Sequence, residues 1–294
     1  MRALVLHNRS AGAGGIKRKE LTGVLRDAGI DVVYASTKAK ELADALFDLA
    51  RYDVVIAAGG DGTVAKAVKH VGDRGVPVAI LPLGGSNNIA RSFGLTRAWQ
   101  DIPARWAKGR KKKLTVGVAE GPWGIWHFIE GCGLGGIARI ASRVPNEVDP
   151  AIKIQNGRNA LRKLLQEAEP DAITLTLDGK RWRGEILMFE ALNTPFVGPS
   201  LHLAEANPGD GKLDFVVVTP EHRTAMDSWM VEPHDPPPPE IFHKRGRRLE
   251  FEWSRIGLHI DDRTPKPPKK PQKVVIEMRQ EPVTILLPQP ERKP

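Results

Sequence analysis

Val54-Val55-Ile56-Ala57-Ala58-Gly59-Gly60-Asp61-Gly62-Thr63 joins a short β-branched run to three glycines and an aspartate, and Val64-Ala65-Lys66-Ala67-Val68 follows. The run predicts a buried parallel strand: it is apolar without alternation, too short for a core helix, and stopped by glycine. Thr63 reads as the N-cap of a helix whose apolar face carries Val64, Val68 and Val71. Glycines let the backbone turn sharply and let a ligand approach without meeting a Cβ. The N–H groups that open the helix, with its dipole, then form an anion seat. An ordinary strand-to-helix turn explains a bare Gly-Gly-x-Gly equally well. Asp61 shifts the reading, because a carboxylate beside a phosphate seat needs a cation or a donor network to offset it.

Outward from this stretch, strand and helix alternate over residues 1 to about 110. Ala3 to Leu6 is a strand running into Asn8 and the glycine-rich loop Gly12 to Gly15. A helix with Leu21, Val24, Leu25 and Ala28 on one face ends at Gly29. Val32 to Ala35 is a second strand, and Thr37 caps a helix carrying Leu42, Leu46 and Leu49. Val78 to Leu81 is the fourth strand and leads into Pro82-Leu83-Gly84-Gly85-Ser86-Asn87-Asn88. The rhythm predicts a parallel sheet covered on both faces, with ligands bound beyond the carboxyl ends of its strands. All three glycine-rich loops fall at that edge.

After Lys113 short alternating stretches take over, from Leu114 to Val118 through to Val283 to Leu287. Asp178-Gly179 is a two-residue hairpin signal, and Asn156 to Ala168 is a helix with Leu161, Leu164 and Leu165 on one face. The expected fold is thus an α/β domain with a parallel sheet (residues 1–112), then a β-rich domain (113–294), an antiparallel sandwich or a bent barrel. Pro236 to Pro239 reads as a stiff surface loop, and Pro265 to Pro271 as an exposed connection.

The 294 residues carry a net charge of +9, with basic runs at Lys17 to Lys19, Arg110 to Lys113, Lys244 to Arg248 and Lys266 to Lys273. Such runs are ordinarily solvated surface; on one face they would attract nucleotide or anionic membrane. No helix-turn-helix, RNA-binding aromatic motif or zinc spacing favours nucleic acid. No apolar run approaches the roughly 20 residues of a membrane span, and Met1 to His7 is too short for a signal peptide. With a single cysteine, Cys132, read as a small packed residue, the expectation is cytoplasmic, with peripheral attachment at the inner membrane face.

Taken in order, several motifs resemble the bacterial diacylglycerol-kinase-like lipid kinases, related to sphingosine and ceramide kinases. They are Asn8 with its glycine loop, Gly59 to Thr63, Leu81 to Arg91, Phe128 to Gly136, Asn207-Pro208-Gly209-Asp210-Gly211-Lys212-Leu213-Asp214, and Leu258-His259-Ile260-Asp261-Asp262-Arg263. The resemblance implies an α/β nucleotide-binding domain followed by a β-rich domain, and transfer of the ATP γ-phosphate, with Mg²⁺, to a diacylglycerol-like or sphingoid hydroxyl at a membrane surface. It further implies that Gly59, Gly60, Asp61, Gly62 and Thr63 wrap the phosphates, with Asn8, Thr37, Gly84, Gly85 and Ser86 in the same pocket. Asp261 takes the place of the general base, and Asp210, with backbone carbonyls near Asn207 and Lys212, that of a structural metal site. Departures accompany the matches: Lys66, Asn88, Arg263 and Thr115 stand where the family carries acids. A non-catalytic nucleotide- or lipid-binding relative, and an NAD-kinase-like enzyme sharing the Gly-Gly-Asp-Gly turn, are the other readings. Oligomeric state, a homodimer included, is open.

Overall fold

A computed structural model describes the whole chain except residues 13–14, 37–44, 46, 73, 141–148, 232–240, 280 and 291–294. Thr37, the helix expected around Leu42 and Leu46, and the four-proline loop lie outside the described residues. The chain folds as two compact units: Met1–Leu114 with Val148–Pro150 and Glu281–Pro294, and Thr115–Glu147 with Ala151–Gln280. A single boundary after residue 112 misses the return of the chain's end to the first unit. Hydrophobic alternation announces a strand, not the sheet it will join.

In the first unit β1 (Arg2–His7), α1 (Arg18–Asp27), β2 (Asp31–Ser36), β3 (Val54–Gly59), α2 (Asp61–Val71), β4 (Val78–Pro82), α3 (Asn88–Ser92) and β5 (Arg110–Leu114) follow in sequence. The chain's last strand, β19 (Val283–Leu287), completes the sheet in the order β2-β1-β3-β4-β19-β5. It pairs parallel to β4 and antiparallel to β5, so this stretch leaves the β-rich half to which its pattern assigned it. Every residue of β3 is buried, as a strand covered on both faces requires. Leu21 and Leu25 of α1 pack with Ala3, Val5, Val54 and Ile56, while the oppositely directed Leu4, Leu6, Val55 and Ala57 are equally buried. β1 lies between β2 and β3, so the connections change direction there, the place where doubly wound sheets open a ligand crevice. The Arg110–Lys113 run is explained by β5: it is an exposed edge strand, and lysines on an edge discourage pairing with another chain.

The second unit begins with β6 (Gly117–Gly121), β7 (Gly124–Phe128), β8 (Gly131–Gly135), α4 (Gly136–Ile140) and α5 (Pro150–Glu167). Then come β9 (Asp171–Leu177), β10 (Lys180–Ile186), β11 (Met188–Leu192), the short β12 (Phe196–Val197) and β13 (Leu201–His202), β14 (Leu213–Val218) and α6 (Arg223–Val231). β15 (Phe242–Gly246), β16 (Arg248–Trp253), β17 (Leu258–Ile260) and β18 (Gln272–Met278) finish it. Two antiparallel sheets, β10-β9-β16-β18-β6-β7 and β15-β14-β11-β8-β17, face each other as a sandwich, the first of the two expected forms. Leu175, Phe251 and Ile276 from one sheet meet Phe189, Phe215 and Ile260 from the other in a shared core. The second sheet is covered outside as well, where Met188 and Leu192 pack with Leu161 and Leu165 of α5 and Met226 of α6. That double burial explains why β11 and β14 show no polar alternation. The hairpin at Asp178-Gly179 forms as read, with φ of 44° and 78° at its two residues.

Candidate active site

Three loops at the carboxyl ends of β1, β3 and β4 lock together within the first unit. Asn8 N–H donates to the Ala58 carbonyl at 3.0 Å, and Leu83 N–H to the Gly59 carbonyl at 3.0 Å. Gly12, in the left-handed region at φ 75°, rests so close to Leu83 that an added Cβ would lie 2.5 Å from its carbonyl oxygen. Gly84 and Gly60 meet backbone to backbone: a Cβ on Gly84 would sit 2.4 Å from the Gly60 Cα. A Cβ on Gly59 would lie 2.3 Å from the Thr63 hydroxyl oxygen. These glycines answer a need for space. Neither Gly59 nor Gly60 has positive φ, so close approach, not a sharp left-handed turn, selects them.

The N-cap falls on Gly60, and Thr63 is inside the first turn of α2, its N–H donating to the Gly60 carbonyl at 2.9 Å. Thr63 therefore packs beneath the turn instead of capping it, which moves the helix's opening N–H groups three residues closer to the strand. Asp61 gains the helix-dipole position, and its Oδ1 accepts the Ile89 N–H at 2.9 Å, so one carboxylate ties the start of α2 to the start of α3. Asn87, at φ 48°, clamps the third loop: its Oδ1 accepts from Gly84 N–H at 2.9 Å and its Nδ2 donates to Gly84 O at 2.8 Å. Asn8 turns its Oδ1 to the Ser10 backbone N–H and hydroxyl, at 3.2 and 3.3 Å, and so shapes its own loop. Gly85 is exposed, Ser86 half-buried and Lys66 exposed one turn into α2.

In the second unit Asp261 occupies a tight turn after β17, with φ 51°. Ile260 and Arg263 exchange backbone hydrogen bonds of 2.8 and 3.1 Å around it. Its carboxylate accepts the Ile129 N–H at 3.0 and 3.1 Å and the Glu130 N–H at 2.9 Å, while its own N–H donates to Gly131 O at 2.9 Å. Asn193, buried, braces the same loop by donating Nδ2 to the carbonyls of Thr115 and Ile129, both at 2.8 Å. The carboxylate is thus fixed in direction by backbone donors before any ligand arrives. Arg263 lies over the Trp126 ring, 5.0 Å from its centroid. Cys132 is fully buried; burial, with Glu190 and Asp261 nearby, pushes its thiol well up, so it is the packed residue the sequence indicates. Of the aromatic and apolar side chains that could line a lipid pocket, Phe196 and Leu201 are buried core, and Trp123 packs against Trp253 at 5.3 Å.

The residues at Asp210 do not fit a bound cation. Asp210 Oδ1 accepts the Lys212 N–H at 2.9 Å, and its Oδ2 is taken by the Arg245 guanidinium. Arg245 Nε also lies 3.5 Å from Asp214 Oδ1, which His243 Nε2 meets at 2.7 Å. Asn207 Oδ1 is turned to the Gly209 N–H at 3.1 Å. Here a guanidinium does the charge neutralisation expected of an ion. Among the described residues no group of three or more His, Cys, Asp or Glu side chains is arranged to hold a metal, in either unit. Chelator and millimolar Mg²⁺ should therefore leave thermal unfolding of the sandwich unchanged, whereas Arg245→Ala should unfold earlier and become Mg²⁺-responsive. Scanning calorimetry reads both.

Sequence reading did not single out Asn87, which clamps the third loop, or Asn193, which braces the Asp261 turn; Asn87 stands within a quoted motif, whereas Asn193 lies outside all of them and carries no signal in the sequence.

Comparison with known proteins bears on all of this. The family model of the diacylglycerol kinase catalytic domain matches residues 2–119. The diacylglycerol kinase of Bacillus subtilis (strain 168) is 28% identical over 233 residues, covering 74% of this chain and 73% of the relative. The probable lipid kinase YegS-like of Klebsiella pneumoniae (strain 342) is 27% identical over 254 residues, 80% of each. A crystal structure of a diacylglycerol kinase from Bacillus anthracis str. Sterne has the same fold, with a TM-score of 0.69 at 20% identity over 97% of this chain and 96% of that one. Motif order, the match over residues 2–119 and the relatives agree: in sequence the chain is similar to the diacylglycerol-kinase-like lipid kinases, and it shares the fold of the solved structure.

Proposed function

We propose that this lipid kinase transfers the γ-phosphate of ATP to the hydroxyl of a diacylglycerol-like or sphingoid lipid. The observation that carries the reading is the interlock of the three glycine loops at the carboxyl ends of β1, β3 and β4, which leaves the opening of α2 as a preformed phosphate seat. Asp61, Gly62 and Thr63 present that seat, with Gly84, Gly85 and Ser86 beside it. Asp261 accepts the proton of the attacking hydroxyl as the oxygen bonds to phosphorus and the bond from phosphorus to the bridging oxygen of ADP breaks. Phosphoryl transfer asks chiefly for alignment and charge neutralisation. Mg²⁺ bound to the nucleotide would neutralise phosphate charge, and Lys66 and Arg263 add positive charge where the family carries acids. Incubating the protein with Mg-ATP and a panel of vesicle-borne diacylglycerols and sphingoid bases tests this. ATP consumption matched by lipid phosphate supports it, and ATP consumption without lipid phosphate opposes it.

The acceptor reaches the enzyme at a bilayer on the cytoplasmic side, and no described helix is long and apolar enough to cross one. Electrostatic docking through the basic runs accounts for attachment, at about 1 kcal/mol per well-placed Lys or Arg. Co-sedimentation with vesicles should rise with anionic lipid and fall with salt as the screening length shrinks toward about 10 Å near 0.1 M. Equal binding to neutral vesicles at high salt would exclude charge as the attraction.

A further inference from the structure

Glu190 of β11 and His259 of β17 face each other across Gly133 of the intervening β8: the register pairs Glu190 with Gly133 and Gly133 with His259. Two strand spacings separate the outer backbones, roughly 10 Å. The side chains bridge that gap directly above the glycine, where an added Cβ would lie 2.1 Å from the Glu190 carboxylate. His259 Nε2 lies 2.8 Å from Glu190 Oε2, and His259 Nδ1 lies 3.0 Å from the backbone carbonyl of Asp261. Both residues are all but sealed from solvent, at 2% and 0% side-chain exposure.

A buried ionic pair is an expensive way to hold a sheet together; an apolar pair of similar size serves stability as well or better. This one reaches beyond the sheet, to the residue whose carboxylate the function requires. We infer that Glu190 and His259 are positioning residues: Glu190 orients the imidazole, whose Nδ1–H grips the Asp261 carbonyl and sets the turn that aims its carboxylate. The inference deepens the proposed function and rests on Asp261 being the base. Chemistry fixes the proton positions. A carbonyl only accepts, so Nδ1 carries a hydrogen, and an ionised Glu190 places a second one on Nε2. Burial alone would favour the neutral ring, but the charge and hydrogen bond of Glu190, aided by the Asp261 carbonyl, raise its pKa instead. Gly133 is the third part of the device, since any side chain there displaces the carboxylate.

Nitrogen-detected NMR of the imidazole in the unaltered protein is the first test. Both ring nitrogens of His259 should be protonated, with a slowly exchanging hydrogen on Nδ1. An unprotonated Nδ1 overturns the inference, and no variant need fold for that result. The second test compares amide exchange at Ile129 and Glu130, the donors to Asp261, in Glu190→Gln, His259→Leu and His259→Asn. Protection there should fall about tenfold in the first two while core strands keep theirs, and His259→Asn, which retains a donor in the Nδ1 position, should recover part of it. The same variants should lose roughly 10–100-fold in kcat with KM for ATP little changed, the signature of a misplaced group. Folded variants with wild-type protection and kcat would make the pair purely structural. Full activity in Asp261→Asn would instead sink the base assignment, leaving the imidazole and exchange results to judge the positioning role alone.

Discussion

Asp261→Asn is expected to lower turnover by about 10²–10⁴-fold, the usual contribution of a general base, while ATP affinity stays near that of the unaltered chain. The substitution is a sparing probe here: Asp261 Oδ1 accepts from both Ile129 and Glu130, and only the second contact of the Ile129 N–H, to Oδ2 at 3.1 Å, is given up. An asparagine with its carbonyl oxygen in that place keeps those two hydrogen bonds and the left-handed turn, which asparagine tolerates better than most residues. What it loses is the capacity to take a proton. Steady-state kinetics with calorimetric ATP titration separates the outcomes; a folded variant that turns over normally would remove Asp261 from the chemistry.

Gly84→Ala should abolish measurable ATP binding. Its new Cβ would lie 2.4 Å from the Gly60 Cα and 2.9 Å from Asn87 Oδ1, so either the two loops part or the Asn87 clamp opens. Both routes dismantle the seat, and neither can be relieved by rotating a side chain, because the first obstacle is backbone. Gly60→Val meets the same contact from the other side, at 3.2 Å for its Cβ, with a branched side chain still to place. Its ATP affinity should also collapse. Calorimetry against circular dichroism checks both: binding lost with secondary structure kept is the expected pattern, and unchanged affinity in a folded Gly84→Ala protein would show that nucleotide does not sit on these loops.

Much of this architecture is legible before any coordinates. Unbroken apolar strands and the glycines at their ends announce the parallel sheet and its ligand edge, since only a strand covered on both faces reads Val-Val-Ile-Ala-Ala. Asp178-Gly179 announces its hairpin, because few residue pairs tolerate two positive φ values in succession. Three things were not legible, for physical reasons. Val283–Leu287 reads as one more β stretch, but partner choice depends on long-range topology that alternation does not encode. Thr63 has the chemistry of a cap, yet the absent Cβ of Gly59 lets it fold under the turn, a packing effect invisible in a linear pattern. Asp210 matches a metal motif, while Arg245, thirty-five residues away, decides that its carboxylate is already neutralised.

The same holds for the site. Asp261 and the glycine loops stand out as motifs, whereas their supports are ordinary residues made important by register. Glu190 and His259 gain their meaning only when β8 lies between them with a glycine at the crossing. Lys66, Asn88 and Arg263 carry the opposite lesson. Each departs from the family's acids, yet the loops and the Asp261 turn remain fully braced around them.

The most direct measurement follows the phosphorus itself. ATP labelled at the γ position is supplied as its Mg²⁺ chelate with vesicles containing diacylglycerol or a sphingoid base, and organic-phase lipid is separated from aqueous nucleotide and inorganic phosphate. The unaltered protein should move label into the lipid phase, and Asp261→Asn should leave it in ATP. Label that remains in ATP, or appears only as inorganic phosphate, with every lipid of the panel would contradict the assignment of phosphoryl transfer to a lipid hydroxyl.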